Sequence, residues 1–152
     1  MLPFDAEPRH NTVLMHIHAS CAARDGHGVL LLGPPGSGKS DLLLRLLDHH
    51  FTLVADDQVE VKDNHARPPV ALAGLLEVRG LGILRLPYTA PVRLALAIGM
   101  GAGDRLPTPA HHPQTGLPMV MVDPAQSSAA LRVGVALDCA IGRIAQVAGV
   151  FA

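Results

Sequence analysis

The chain predicts a mixed α/β fold arranged around a phosphate-binding loop, and three consecutive stretches carry that prediction. Gly28-Val29-Leu30-Leu31-Leu32 is a short, wholly apolar run of the kind a buried central strand needs. Gly33-Pro34-Pro35-Gly36-Ser37-Gly38-Lys39-Ser40 then satisfies the pattern G-x-x-x-x-G-K-[ST]. From Ser40 to His50 the leucines recur at helical spacing, which predicts an amphipathic helix over 40–50. Strand, glycine loop and helix, in that order, turn successive main-chain N–H groups and a helix N-terminus toward one anion. In such a loop the lysine reaches the β- and γ-phosphates and the following hydroxyl sits on Mg²⁺. Residues Gly33, Pro34, Pro35, Gly36, Ser37, Gly38, Lys39 and Ser40 are therefore the predicted nucleoside triphosphate site.

Bulk properties bound the rest. A chain of 152 residues, 49% hydrophobic and 16% charged, predicts one domain with a packed core. A net charge of −1 and few aromatic residues (Phe4, Phe51, Tyr88, Phe151) argue against nucleic acid as a partner. No apolar run approaches the roughly 18 residues of a membrane span, and the N-terminus lacks a signal-peptide pattern, so a cytoplasmic location is expected. Cys21 and Cys139 read as buried free thiols. The nine histidines do not fall at zinc-site spacing: His49-His50 ends the predicted helix, and His111-His112 lies in a proline-rich stretch.

The elements follow in order. Residues 1–12 are a lead-in in which Pro3, Pro8 and Asn11 discourage regular structure. From Val13 to His18 the alternation has a strand's period of two, and the Arg24–Gly28 turn makes a hairpin that feeds the glycine loop. After the helix, Phe51 to Ala55 is a strand ending at Asp56-Asp57, and Val59 to Val61 continues as another before the Asp63-Asn64 turn. Pro68-Pro69 excludes a helix interior. Leu72 to Leu86 reads as one apolar strand on which Glu77 and Arg79 share a face, and 91–98 as a buried strand. Residues 99–116 lack periodicity, which marks a functional or mobile loop. Met119 to Val122 and Leu131 to Leu137 read as strands, with a terminal helix from Asp138 to Val147.

A phosphate loop binds without choosing a reaction. Asp56-Asp57, at a strand end beside the loop, supplies what chemistry requires: a carboxylate there holds Mg²⁺ or its water, or accepts the proton of an attacking hydroxyl. Adjacent residues point to opposite sides of a strand, so both tasks have a candidate. Glu77 and Arg79 face a common cleft, and the Gly80-Leu81-Gly82 bracket admits close approach of a backbone or ligand. His18 lies on the His16 face of the first strand.

With His18-Ala19-Ser20, the glycine loop, Leu53-Val54-Ala55-Asp56-Asp57 and Leu76-Glu77-Val78-Arg79-Gly80-Leu81-Gly82-Ile83 in this order, the chain resembles the HPr kinase/phosphorylase family over roughly residues 15–106. The resemblance implies an ATP- and Mg²⁺-dependent kinase acting on a serine of the HPr-type phosphocarrier of the phosphotransferase system. It implies a core of the phosphoenolpyruvate carboxykinase-like type. It also implies catalytic roles for His18 and Lys39, metal contact by Ser40, Glu77 and Asp57, and a general base in the Asp56-Asp57 pair, with Asp57 preferred. Arg79 belongs to the catalytic set, and Arg105 in Asp104-Arg105-Leu106 resembles the family's loop arginine, placed to stabilise the transferring phosphoryl group. The family assembles as a hexamer, and a homo-hexamer is the implied assembly.

Departures from the family pattern qualify this. The chain begins almost at the catalytic core, as the short proteobacterial type does. Val122 to Ser128, where the family's loop for dephosphorylation belongs, has neither arginine nor glycine, which argues against reverse phosphorylase activity. A non-catalytic ATP-sensing module and a small-molecule kinase are the competing readings.

Overall fold

Residues 13–152 are described by the computed structural model; the lead-in expected over 1–12 lies outside them. Small and branched residues build the centre. β1 (Met15–Ile17) and β2 (Ala19–Arg24) run up to a turn at Asp25-Gly26, and β3 (His27–Leu32) returns antiparallel to β2, with Ala19 opposite Leu32. The glycine loop follows, then α1 (Lys39–Leu47), β4 (Thr52–Ala55), β5 (Val59–Lys62) and β6 (His65–Arg67). A 3₁₀ turn at Val70–Leu72 leads to β7 (Leu75–Val78) and β8 (Gly82–Arg85). β9 (Val92–Met100), β10 (Met119–Val122) and α2 (Ala129–Ala140) complete the order.

The main sheet is mixed and eight-stranded, ordered β1-β5-β6-β9-β3-β2-β4 with β10 added alongside β9. β3 pairs parallel with β9 on one side and antiparallel with β2 on the other, so its apolar run is buried on both faces. One face, with Val29, Leu31, Leu96 and Ile98, packs under Leu42, Leu43 and Leu46 of α1 and Val133 and Leu137 of α2. The other, with Cys21, Leu30, Val54 and Ala97, packs with Ile17, Val59, Val61 and Ala66 of the outer strands and with Leu117. Burial pushes the Cys21 thiol's pKa far up, as an inert core cysteine requires; Cys139, by contrast, is half-buried. Arg24 fastens α2 to the hairpin: its Nη2 donates to Gly134 O (3.0 Å) and Asp138 Oδ1 (2.8 Å), and its guanidinium lies 4.9 Å from the Phe51 ring centroid. Among the described residues, no helix is long and apolar enough to cross a membrane.

Three expectations need correction. Residues 131–137 are not a strand, and no helix spans 138–147; the helix is α2, ending at Ala140. Its buried positions, Ala129, Ala130, Val133, Gly134 and Leu137, follow helical spacing, and packing on β9 and β10 overrides the strand preference of Val133 and Val135. The stretch 72–86 is a separate two-stranded hairpin of β7 and β8 rather than one strand, with Arg79 in its turn. Gly80 (φ 84°) and Gly82 (φ 137°) take positive φ there, so these glycines reverse the chain. α1 ends at Leu47, short of His49-His50, because His50 turns left-handed (φ 68°). β6 forms where a proline-flanked segment gave no sequence signal.

Candidate active site

The glycine loop leaves β3 at Gly33 and enters α1 at Lys39. Because Leu42, Leu43 and Leu46 bury one face of α1, the helix N-terminus is held over the end of β3. A turn closed by Ser37 N–H donating to Pro34 O (3.1 Å) shapes the loop, and Gly38, left-handed at φ 103°, caps the helix. Lys39 is only 6% exposed; its Nζ donates to Gly33 O (2.7 Å) and Pro34 O (3.1 Å). Among the described residues no carboxylate pairs with it. A buried ammonium resting on neutral carbonyls exchanges readily to an anionic acceptor, where the charge-assisted bond is stronger. Ser37 Oγ is a buried hydroxyl without a hydrogen-bond partner, a second donor in the loop that an anionic ligand would suit.

Asp56 and Asp57 follow the last residue of β4. Asp56 turns inward: its Oδ1 accepts from Ser40 Oγ of α1 (2.8 Å) and from Ser20 Oγ of β2 (2.8 Å). Asp57 turns outward from a left-handed backbone (φ 68°), and its Oδ1 lies 3.2 Å from His18 Nε2. The two side chains are 53% and 60% exposed, so this pair adds little to stability. Glu77 of β7 and Arg79 of the β7–β8 turn complete the opposite wall. The open cleft between them, ≈ 420 Å³, is lined by Gly36, Lys39, Ser40, Asp57, Glu77 and Arg79, among others.

Most of the predicted residues thus converge. Pro35, Gly36, Gly38, Lys39, Ser40, Asp57, Glu77 and Arg79 share the cleft, and Asp56 lies behind Ser40. Gly33 and Pro34 contribute carbonyls to Lys39, and His18 reaches the rim through Asp57. Arg105 is exposed in the irregular stretch after β9 and is not among the residues lining the cleft.

Two contributors have no role assigned from sequence, although Ser20 stands in the His18-Ala19-Ser20 motif. Ser20 is fully buried, donates to Asp56 and accepts the Asp57 N–H (3.3 Å); a hydroxyl inside an apolar strand is the signal that marks it. Arg45 of α1 donates through Nη2 to Pro124 O (2.6 Å) and through Nη1 to Gln126 O (3.2 Å), and pairs with Asp41 (3.0 Å). It holds the Pro124 ring against Gly38, where an added Cβ would lie 3.1 Å from the ring's Cβ and Cγ. No local pattern announces a contact across 79 residues.

The donor set fits Mg²⁺. Ser40, Asp56, Asp57 and Glu77 offer hard oxygens, as that cation requires. No group of three or more His, Cys, Asp or Glu that could hold a metal occurs among the described residues. Mg²⁺ seldom uses an all-protein cage, however, and takes one or two carboxylates together with substrate phosphates and water.

The model of the HPr Serine kinase C-terminal domain matches residues 11–89. The HPr kinase/phosphorylase of Clostridium tetani is 42% identical over 66 residues, 41% of this chain and 22% of the relative. That of Clostridium acetobutylicum is 38% identical over 85 residues, 53% of this chain and 26% of the relative. The chain thus spans about a quarter of the length of the curated relatives it matches. The solved structure of the Hpr(Ser) kinase/phosphatase from Coxiella burnetii superposes with a TM-score of 0.69 at 21% identity, covering 85% of this chain and 92% of that one, and shares its fold.

Proposed function

Because the chain belongs to the HPr Serine kinase C-terminal domain family, we propose that it is a protein-serine kinase transferring the γ-phosphoryl group of ATP to a serine of an HPr-type phosphocarrier. The observation that carries this reading is one juxtaposition. A carboxylate paired with a histidine, Asp57 with His18 at 3.2 Å, stands at the rim of the cleft floored by the glycine loop and Lys39. A loop and lysine alone would serve any nucleotide binder; an oriented, accessible carboxylate beside them supplies a base.

The main-chain N–H groups of the loop and the N-terminus of α1 bind the triphosphate, and Lys39 moves from the Gly33 and Pro34 carbonyls to its β- and γ-oxygens. Ser40, backed by Asp56, and Glu77 would hold Mg²⁺, which when bound neutralises charge on the β- and γ-phosphates. Asp57 accepts the serine proton as the hydroxyl oxygen bonds to phosphorus and the bond to the ADP oxygen breaks; His18 keeps its carboxylate aimed. The contact of Asp56 with Ser40 favours this assignment of base and metal-side acid over the reverse. Arg79 faces the developing charge, and the family resemblance assigns the same task to Arg105, which lies outside the cleft lining. The openness of the pair, 53% and 60% exposed, suits a hydroxyl carried on a protein surface. The forward reaction alone is proposed: Val122 to Ser128 lacks arginine and glycine, and Arg45 already occupies two of its carbonyls. A homo-hexamer and a cytoplasmic location belong to the same proposal.

Incubation with γ-labelled ATP, Mg²⁺ and a purified HPr-type carrier tests it. Label on a carrier serine is the expected result. Saturable nucleotide binding with no transfer would replace the kinase with an ATP sensor, and transfer confined to a small molecule would replace the substrate.

A further inference from the structure

Ser20 has no exposed surface, and its neighbours in β2, from Ala19 to Ala23, are buried with it. A hydroxyl is tolerated in such a strand when its hydrogen-bonding capacity is used. Here both halves of that capacity are used on adjacent acids: Oγ–H donates to Asp56 Oδ1 (2.8 Å) and the oxygen accepts Asp57 N–H (3.3 Å). His18 lies two residues earlier in the nearly continuous pair β1–β2, and residues two apart share a side of an extended chain. Asp57 is consequently gripped at two points, its carboxylate by His18 and its amide by Ser20.

We propose that Ser20 is a positioning residue that divides the labour of the two acids, holding Asp56 inward against Ser40 and Asp57 outward toward the incoming hydroxyl. The proposal rests on the kinase reading above and deepens it. Asp56 Oδ1 has two donors, Ser40 on the loop side and Ser20 on the sheet side. Ser40 belongs to the helix that must accommodate the nucleotide, whereas Ser20 is fully buried in β2, a strand paired on both sides by β3 and β4, so the fixed reference is Ser20. Asp57 takes a left-handed conformation that residues other than glycine rarely adopt, and Ser20 Oγ is the protein acceptor for its amide. With that acceptor gone, the turn relaxes and the carboxylate loses its aim while the nucleotide cradle stays whole.

The test uses the full chain with Ser20→Ala and Ser20→Cys. The second variant nearly preserves volume while replacing the hydroxyl with a weak donor. For both, kcat should fall about 10-fold or more while ATP affinity stays within about 3-fold, since the loop is untouched. On an Asp57→Asn background the Ser20 substitutions should cost nothing further, because residues acting as a unit are not additive. Amide exchange at Asp57 should accelerate selectively in both variants, with Val54 and Ala55 unchanged. Full turnover in the Cys variant would reduce the role to packing, and an equal loss on the Asp57→Asn background would remove Asp57 from the account; either overturns the proposal. Should the wild-type chain transfer no phosphate, the kinase reading fails by itself. Asp57 amide protection unchanged by Ser20→Ala would then still overturn the role assigned to Ser20, and selective loss would support it.

Discussion

Gly38→Ala probes the join between loop and fold. Gly38 sits at φ 103°, where an L side chain costs about 1–2 kcal/mol. Its new Cβ would stand 3.1 Å from both Cβ and Cγ of Pro124. The ring cannot retreat freely, because Arg45 holds Pro124 O at 2.6 Å and Gln126 O at 3.2 Å, and a crowded contact of this kind adds about 1 kcal/mol. The total is about 2–3 kcal/mol. If the loop keeps its shape, the strain lowers unfolding free energy; if it relaxes, Lys39 and Ser40 leave their positions and binding is weakened instead. The losses in stability, from denaturant melts, and in affinity, from titration with a fluorescent ATP analogue, should therefore sum to about 2–3 kcal/mol. Expressed wholly in binding, that is a loss of roughly 30- to 150-fold. Adding Pro124→Ala removes Cγ but keeps Cβ, so it should recover only part of that crowding term, about 0.5 kcal/mol, without touching the backbone term. If Gly38→Ala changes each quantity by less than about 0.5 kcal/mol, the account of the loop is wrong.

Lys39→Ala should weaken ATP binding by about 10-fold or more while leaving the nucleotide-free melting temperature nearly unchanged, since the ammonium rests on neutral carbonyls; wild-type affinity in the titration would contradict its role. Asp57→Asn should retain ATP affinity and lose about 10² or more in kcat, and unchanged turnover in the labelled-phosphate assay would move the base elsewhere. His112, buried in the 110–118 loop with Nδ1 2.8 Å from Thr115 Oγ1, has its pKa lowered below the ordinary imidazole value by that burial. Its folded-state value lies below the unfolded one, so its stabilising contribution is complete above about pH 6.5 and is lost as pH falls through the lower, folded value. Protection factors over 110–118, referred to the intrinsic exchange rate at each pH, should fall toward pH 5 in the wild-type chain, and that fall should vanish in His112→Asn.

How far the sequence reaches is visible in particular elements. β3, α1 and the hairpin feeding the loop were legible because their signals are local: an unbroken apolar run, leucines at helical spacing, and a turn at Asp25-Gly26. α2 was not, because Ala-Leu-Arg-Val-Gly-Val-Ala-Leu satisfies strand and helix preferences together, and only the face offered by β9 and β10 decides between them. The β7–β8 hairpin reads as one strand in the sequence because Gly80 and Gly82 suit sites of close approach and a turn equally. Arg79 still reaches the cleft, from the turn and not from a strand face.

The site shows the same limit at finer grain. That one acid faces inward and one outward was expected from strand alternation, yet neither residue lies in a strand. β4 ends at Ala55, and the division comes from the left-handed turn at Asp57. Alternation alone would leave the outward acid's direction to whatever flanked it. Here His18 and Ser20, 39 and 37 residues earlier in the chain, hold its carboxylate and its amide. Those partners are fixed by the antiparallel register that sets Cys21 opposite Ala55, with a shift between Cys21 and Ala22. A slip of one residue in that register would turn every side chain of β2 to the opposite face. Ser20 would then meet neither acid, and Asp56 would keep Ser40 alone. The chemistry of the pair is thus a property of β2–β4 pairing as much as of the two aspartates. Substitutions that disturb that register should reduce phosphotransfer before they reduce nucleotide binding, because the glycine loop hangs from β3 and α1.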